Sequence, residues 1–482
     1  MKSSEQLAAL EALLPEVLEA ALEYVRQLPT REVRAGLTDE DLRGILDHGL
    51  PTSPSDPLDV LRQLLAASGG LVPSGAGKYF GYVVGGTVPV GVAADWLTSV
   101  WDQNCIVHDG SPLTAVLEDI CGRWLTELFA LPATTSYAFT PACTHADLLG
   151  LTVARHEVLA RHGWDVAQQG LQGGPTVTVL VNESIHAAVT RPLQILGLGG
   201  SIRELPADSE GRILLPALQE EIDTVRGGPL IVCGHVGEIN TGGVDRLRPL
   251  AELTHAADGW LHLDAAFGAW AAASPRLRHT LLDGLDLADS LATDTHKWLN
   301  APYDCGVALI TDARAHRAAL PLSADYLNLP DNQRHPVQWG LEVSRRSRVL
   351  PLWAILRQLG ATGIAQLVDE RCAQAQRLAT LLQTEPGIDI LNEVALNQVL
   401  VRFHHPTATD DDHTQNVTDA FQEHGRGWAG TSTWKGRTVL RLSLANWAST
   451  DHDIDQAARS LIAIHSRLAA GLPGVVAPTD ND

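Results

Sequence analysis

Apolar residues recur at helical spacing from the start of the chain. Leu7, Leu10, Leu13, Leu14, Val17, Leu18, Ala21, Leu22 and Val25 predict an amphipathic helix over 4–27. Two more helices are predicted over 38–50, capped by Thr38 or Asp39, and over 59–67. These three have little neighbouring chain on which to bury their apolar faces. After a glycine-rich stretch, SGAGKYFGYVVGGTVP at 74–89, helices are predicted over 89–107 and 113–131. The period then shortens. Apolar runs at 137–140, 176–181 (TVTVLV), 230–234, 260–263 (WLHL), 290–292 and 305–310 read as buried strands, with helical stretches over 146–162 and 247–255 between them. Strands alternating with helices predict a mostly parallel sheet with right-handed crossovers. Beyond it come a long helix over 350–383, short strands within 388–403, a helix over 416–424, a strand over 438–444 and a helix over 451–468. Residues 323–339 read as a loop, and 471–482 as a frayed tail.

Composition narrows the class. A chain of 482 residues, 45% hydrophobic and 19% charged, can bury a sizeable core. Its 57 acidic residues against 35 Lys and Arg give a net charge of −22, which argues against nucleic acid and anionic membrane as partners. Six scattered cysteines without CxxC or metal spacing read as reduced thiols, and no metal is expected. The amphipathic, acidic N-terminal stretch lacks signal-peptide form, and no run approaches the roughly 18 apolar residues of a membrane span. The expectation is a soluble cytoplasmic protein.

The chemistry centres on ATDTHKWLNAPYDCGVALI, 292–310, read as strand, exposed turn, strand. Lys297, between His296 and Trp298, is part-shielded from water. Desolvation disfavours the charged amine and makes it a better nucleophile, able to form a Schiff base with an aldehyde cofactor. Thirty-three residues earlier, Asp264 ends the strand in WLHLDAA. Ligands of open α/β sheets bind at such strand ends. An aspartate there can keep a pyridinium nitrogen protonated, so that the ring acts as an electron sink. Between residues 137 and 162, a strand, Pro141-Ala142-Cys143-Thr144 and a helix form a candidate phosphate cradle, with free N–H groups and the Thr144 hydroxyl facing the anion.

HLDAAFG followed by ADSLATDTHKWLNAPYDCG resembles the signature of the group II pyridoxal-phosphate-dependent amino-acid decarboxylases, and the resemblance runs from about Lys78 to Ile462. It implies an aspartate-aminotransferase-like (fold type I) α/β enzyme. The parts would be a helical arm over 1–75, a cofactor domain over 76–350, a small α+β domain over 351–470 and a tail over 471–482. It implies pyridoxal 5′-phosphate as cofactor, a small amino-acid substrate and a homodimer, with the early helices packed across the two-fold axis. The reaction implied is α-decarboxylation to the amine and CO2 through a Lys297 Schiff base. By the same resemblance Lys297, Asp264 and His186, the last stacking on the ring, are catalytic. Ala142, Cys143, Thr144, Ala266, Asp294 and His296 complete the cofactor set.

Several positions depart from the family pattern. His145 stands where an acid is common and Asp147 where Asn is common. Glu238 and Ile239 replace two threonines on the substrate side. Tyr82 is kept, but Val83 and Val84 are small and imply a changed pocket floor. The family's loop-tip tyrosine, which protonates the carbanionic intermediate, has no counterpart at the tip of 323–339. Tyr326 is at the loop's start, and His335 is the other proton donor there. Two further outcomes therefore stay open: a lyase or aldehyde-forming oxidative decarboxylation on the same fold, and a weakly active homologue serving as a binding protein.

Overall fold

The computed structural model describes residues 3–225, 227–322, 329–330 and 333–474. Helices α1 (Ser3–Gln27), α2 (Asp39–Leu46) and α3 (Pro57–Ala66) come first, then α4 (Pro89–Trp101) and α5 (Pro112–Leu128). Thr38 and Asp41 form a reciprocal capping box at α2, satisfying N–H groups that the helix cannot bond itself. Helix α4 stops at Asp102, which is left-handed (φ 45°), and not near 107 as the apolar pattern predicts.

A seven-stranded sheet follows: β1 (Ser136–Thr140), β2 (Thr178–Asn182), β3 (Ile202–Leu205), β4 (Leu230–His235), β5 (Trp260–Asp264), β6 (Ser290–Asp294) and β7 (Gly306–Ile310). Its order is β1-β7-β6-β5-β4-β2-β3. All pairs are parallel except those of β7, which is antiparallel to both β1 and β6. The β6–β7 link is thus a short reversal, and it carries Lys297. Helix α6 (Cys143–Ala160) begins three residues before the apolar pattern does, so Cys143 and Thr144 lie in its first turn.

The sheet buries both faces, which is why its central strands read as continuous apolar runs. Leu261, Leu263, Leu291 and Val307 enter one core layer; Trp260, Ala292 and Ala308 enter the other, under α6. A four-stranded antiparallel sheet, ordered β10-β11-β9-β8, is built from β8 (Ile388–Ile390), β9 (Gln398–Phe403), β10 (Gly430–Trp434) and β11 (Arg437–Ser443). The helix Val349–Gln383 bends at Gly360 (φ 61°) and leads from the large sheet to the small one. No helix among the described residues is long and apolar enough to cross a membrane.

Candidate active site

Asp264 and Asp294 end neighbouring parallel strands. In the β5–β6 register His262 faces Ser290 and Asp264 faces Ala292, so the period of two puts Trp260, His262, Asp264, Ser290, Ala292 and Asp294 on one face of the sheet. Helix α6 covers that face with Cys143, Asp147 and Gly150. The result is a group of carboxylates at the C-terminal edge of the sheet, roofed by the start of a helix.

Asp294 is the hinge of the arrangement. Its Oδ1 accepts the Cys143 N–H at 2.6 Å, and its Oδ2 pairs with Lys297 Nζ at 3.1 Å. His296 Nδ1 accepts the Cys305 N–H at 3.2 Å, which leaves Nε2 to carry the ring proton, 3.5 Å from Asp294 Oδ1. Asp264 Oδ1 accepts the Ala266 N–H at 3.0 Å and the Cys143 thiol at 3.6 Å. Lys297, Asp264, His186, Ala266, Ile239 and Phe267 line a single narrow cleft. His186 sits at the N-cap of the helix Ala187–Ile195, where Nδ1 accepts the Ala188 N–H at 3.1 Å and fixes the ring's orientation.

The turn bearing Lys297 is not the exposed one expected. Residues 295, 296, 298, 299, 300 and 301 are buried, and Tyr303 is the exposed aromatic. The expected sign of the lysine shift is also reversed. Burial opposes the ammonium charge, but Asp294, with the Cys143 and Asp264 groups behind it, outweighs burial and raises the Lys297 pKa. The sequence neighbours His296 and Trp298 indicate shielding; they cannot indicate which carboxylates converge from other strands. His296 is held below its usual pKa, by burial first, against the pull of Asp294. The protein mass around the cleft likewise lowers the pKa of His186, although one side of its ring is open to the cleft.

The cradle at α6 is partly occupied by the protein's own groups. The Cys143 N–H is taken by Asp294, whereas among the described residues no backbone carbonyl accepts from the Thr144 N–H. Thr144 is half-buried in the first turn, beside the N-cap Ala142. The Lys297 amine and the Asp264 carboxylate share one cleft, and Thr144, which is not among the residues lining it, stands in the first turn of α6; together these groups fit an aldehyde-bearing, phosphorylated pyridine.

Other expected residues lie elsewhere. Val83 is fully buried in the main core with φ 59°, and Tyr82 is exposed and packs on Trp428 at 5.2 Å. Neither borders the Lys297 cleft. Glu238 is not a free carboxylate: it accepts the N–H groups of Asn240 (2.6 Å) and Thr241 (2.7 Å) and so closes its own loop. Tyr326 lies outside the described residues. His335, expected as an exposed proton donor, is fully buried; its Nδ1 accepts the His108 N–H at 3.4 Å and its Nε2 is 3.2 Å from the Pro330 carbonyl. The chain returns there against residues 106–108, so the ring serves backbone groups and does not border the cleft.

Three contributors were not foreseen. Arg441 of β11 donates to the Ile239 carbonyl at 3.3 Å and thereby ties the small sheet to the cleft wall. His262 and Asp147 stand behind Asp264. Strand alternation in WLHLD already puts His262 on the Asp264 face, and Asp147 is one helical turn beyond Cys143, so both were recoverable from period alone.

Comparison with known proteins agrees with the geometry. The model of the pyridoxal-dependent decarboxylase conserved domain matches residues 57–404, and the chain belongs to that family. It is a pyridoxal-phosphate-dependent decarboxylase of fold type I. It is 26% identical over 490 residues to an aromatic-L-amino-acid decarboxylase of Bacillus atrophaeus, covering 98% of this chain and 100% of that protein. It is 29% identical over 394 residues to an L-2,4-diaminobutyrate decarboxylase of Rhizobium meliloti (strain 1021), covering 78% and 77%. A crystal structure of Oryza sativa TDC with PLP and tryptamine superposes with a TM-score of 0.87 at 20% identity, covering 96% of this chain and 97% of that one, a likeness of fold.

Proposed function

We propose that this chain removes the α-carboxylate of an L-amino acid to give the amine, with Lys297 and Asp264 as its two anchors on the cofactor. The observation that carries this is their convergence: the Lys297 amine and the Asp264 carboxylate enter one cleft from adjacent strand ends, beside His186. Pyridoxal phosphate, when bound, supplies a ring that accepts the electron pair left at Cα. Asp264 keeps a proton on the ring nitrogen, which that role requires. Lys297 Nζ would hold the aldehyde carbon, and its amine would be the group that returns a proton to Cα. His186, which lines the same cleft, would lie against the ring. Thr144, with its unshared N–H, takes the phosphate at the start of α6, where the helix dipole favours an anion. Arg441 and Glu238 hold the loop that presents Ile239.

The working unit is a homodimer. Leu7, Leu10, Leu14, Leu18, Leu22 and Val25 of α1 are exposed, as are Val92, Leu97 and Val100 of α4. Apolar area on that scale is unusual on a monomer, and a two-fold contact is the commonest way to cover it. We place the dimer in the cytoplasm.

Borohydride reduction followed by peptide mapping should put a pyridoxyl group on Lys297, and a label on another lysine would overturn the assignment. Measuring CO2, amine and aldehyde across the common amino acids would name the substrate and separate amine formation from an aldehyde-forming outcome.

A further inference from the structure

Behind Asp264, away from the cleft, runs a chain of buried side chains that the proposed reaction does not use. Trp260 Nε1 donates to Ser290 Oγ at 2.8 Å; Ser290 Oγ is 2.8 Å from His262 Nδ1; His262 Nε2 is 3.1 Å from Asp147 Oδ1. His262 and Asp147 are fully buried, and Trp260 and Ser290 nearly so. An indole N–H can only donate, so Ser290 Oγ accepts there. The hydroxyl hydrogen then goes to His262 Nδ1, its remaining partner among the described residues. That fixes the tautomer: the imidazole proton is on Nε2 and is donated to Asp147 Oδ1. Burial holds the His262 pKa down to about 4, so the ring is neutral at ordinary pH.

Asp147 therefore has no cationic partner. Its Oδ2 is enclosed and makes no hydrogen bond. One oxygen of Asp147, one of Asp264 and the Cys143 sulfur lie within 4.8 Å of one another. The charged groups facing it are Asp264 from β5, Asp294 from β6 and Lys297 from the turn, and this lysine is already paired with Asp294. Cys143 on its own helix and Cys233 on β4 are thiols that burial keeps protonated. Two carboxylates this close in a dry interior do not both ionise. Burial, then Asp264 and Asp294, push the Asp147 carboxyl well above the usual carboxylate range.

We infer that Asp147 is a positioning residue held as a neutral carboxylic acid, accepting from His262 and leaving Asp264 the one charged carboxylate behind the cofactor's ring nitrogen. This role rests on the reading of Asp264 given above. The helix is shaped for it: a Cβ at Gly150 would stand 2.8 Å from His262 Cε1 and 2.9 Å from Nδ1, so only glycine lets α6 lie on the imidazole.

The test uses the full-length holoenzyme. An infrared difference spectrum between the wild type and Asp147→Asn should show the carbonyl stretch of a neutral carboxylic acid, shifted by carbon-13 labelling of aspartate. Asp147→Leu should weaken cofactor binding by about tenfold, the scale set by one stranded buried donor. Asp147→Asn, whose amide oxygen still accepts from His262, should bring binding back to within about threefold of the wild type. The folded wild type holds a proton that the unfolded chain releases above about pH 4, so its stability falls as pH rises, and Asn has no such proton. The melting temperature of Asp147→Asn should therefore gain on the wild type between about pH 5 and 8. Absence of the acid carbonyl band, or an Asn variant as damaged as the Leu variant, would overturn the inference. A wild type without a visible cofactor band would overturn the reading of Asp264 instead, because the infrared band reports on Asp147 alone.

Discussion

The C-terminal edge of the central sheet and the N-terminal helices solve opposite problems. At the sheet edge, four carboxyl and thiol groups and two histidines are buried beside a half-buried lysine, and most of their polar atoms are matched within the chain by strands and α6. Along α1 the reverse holds: a row of leucines faces solvent, and α2 and α3 have no buried residue. One region is finished by its own chain; the other is left open by it. In the proposed dimer the chemistry would be prepared within a protomer, while the stability of the arm would depend on concentration.

The comparison can be broken at several points. Lys297→Ala should abolish the visible band and lower turnover at least about 1,000-fold, since both the covalent hold and a positioned proton are lost. Asp264→Asn should keep cofactor bound but cost on the order of 100-fold or more in kcat, because the ring's sink depends on the charge behind it. The double substitution Leu14→Glu, Leu18→Glu should leave the cleft intact while weakening self-association by at least about tenfold, read by sedimentation; four apolar side chains, two per protomer, replaced by charge easily exceed about 1.4 kcal/mol. An active wild-type monomer at micromolar concentration would remove the contrast between the regions. Least of all for catalysis, His335→Phe should leave the pH profile and the product unchanged while costing roughly 1–3 kcal/mol of stability through two stranded backbone groups. A shifted amine-to-aldehyde ratio in that variant would return His335 to the chemistry.

What the sequence disclosed and what it hid follow from distance along the chain. The placement of Asp264 at a strand end and of Lys297 in a reversal was legible because both are local patterns, and so were the seven-stranded sheet's main runs. The strand β10, GTSTW, has no apolar alternation and went unread; the helix Asp410–His424 starts six residues before its apolar pattern, on three acidic residues that favour its N-terminus. The His262–Asp147 bond joins residues 115 apart, and the His335–His108 contact residues 227 apart. Period places His262 and Asp147 each on its own element, but neither contact between distant residues leaves a local mark. His335 looked exposed because its neighbours are polar and proline-rich, whereas the returning chain buries it.

The Asp294–Lys297 pair has a kinetic consequence for assembly. An amine attacks an aldehyde only after shedding its proton, and Asp294 opposes that loss. Below the raised pKa the reactive fraction grows about tenfold for each pH unit. Freshly made chain should therefore mature slowly at neutral pH and faster in mild alkali, with Asp294→Asn shortening the lag at neutral pH. With Lys297 in its proposed role, the carboxylate that keeps the lysine in place would also set the pace at which apoprotein becomes enzyme.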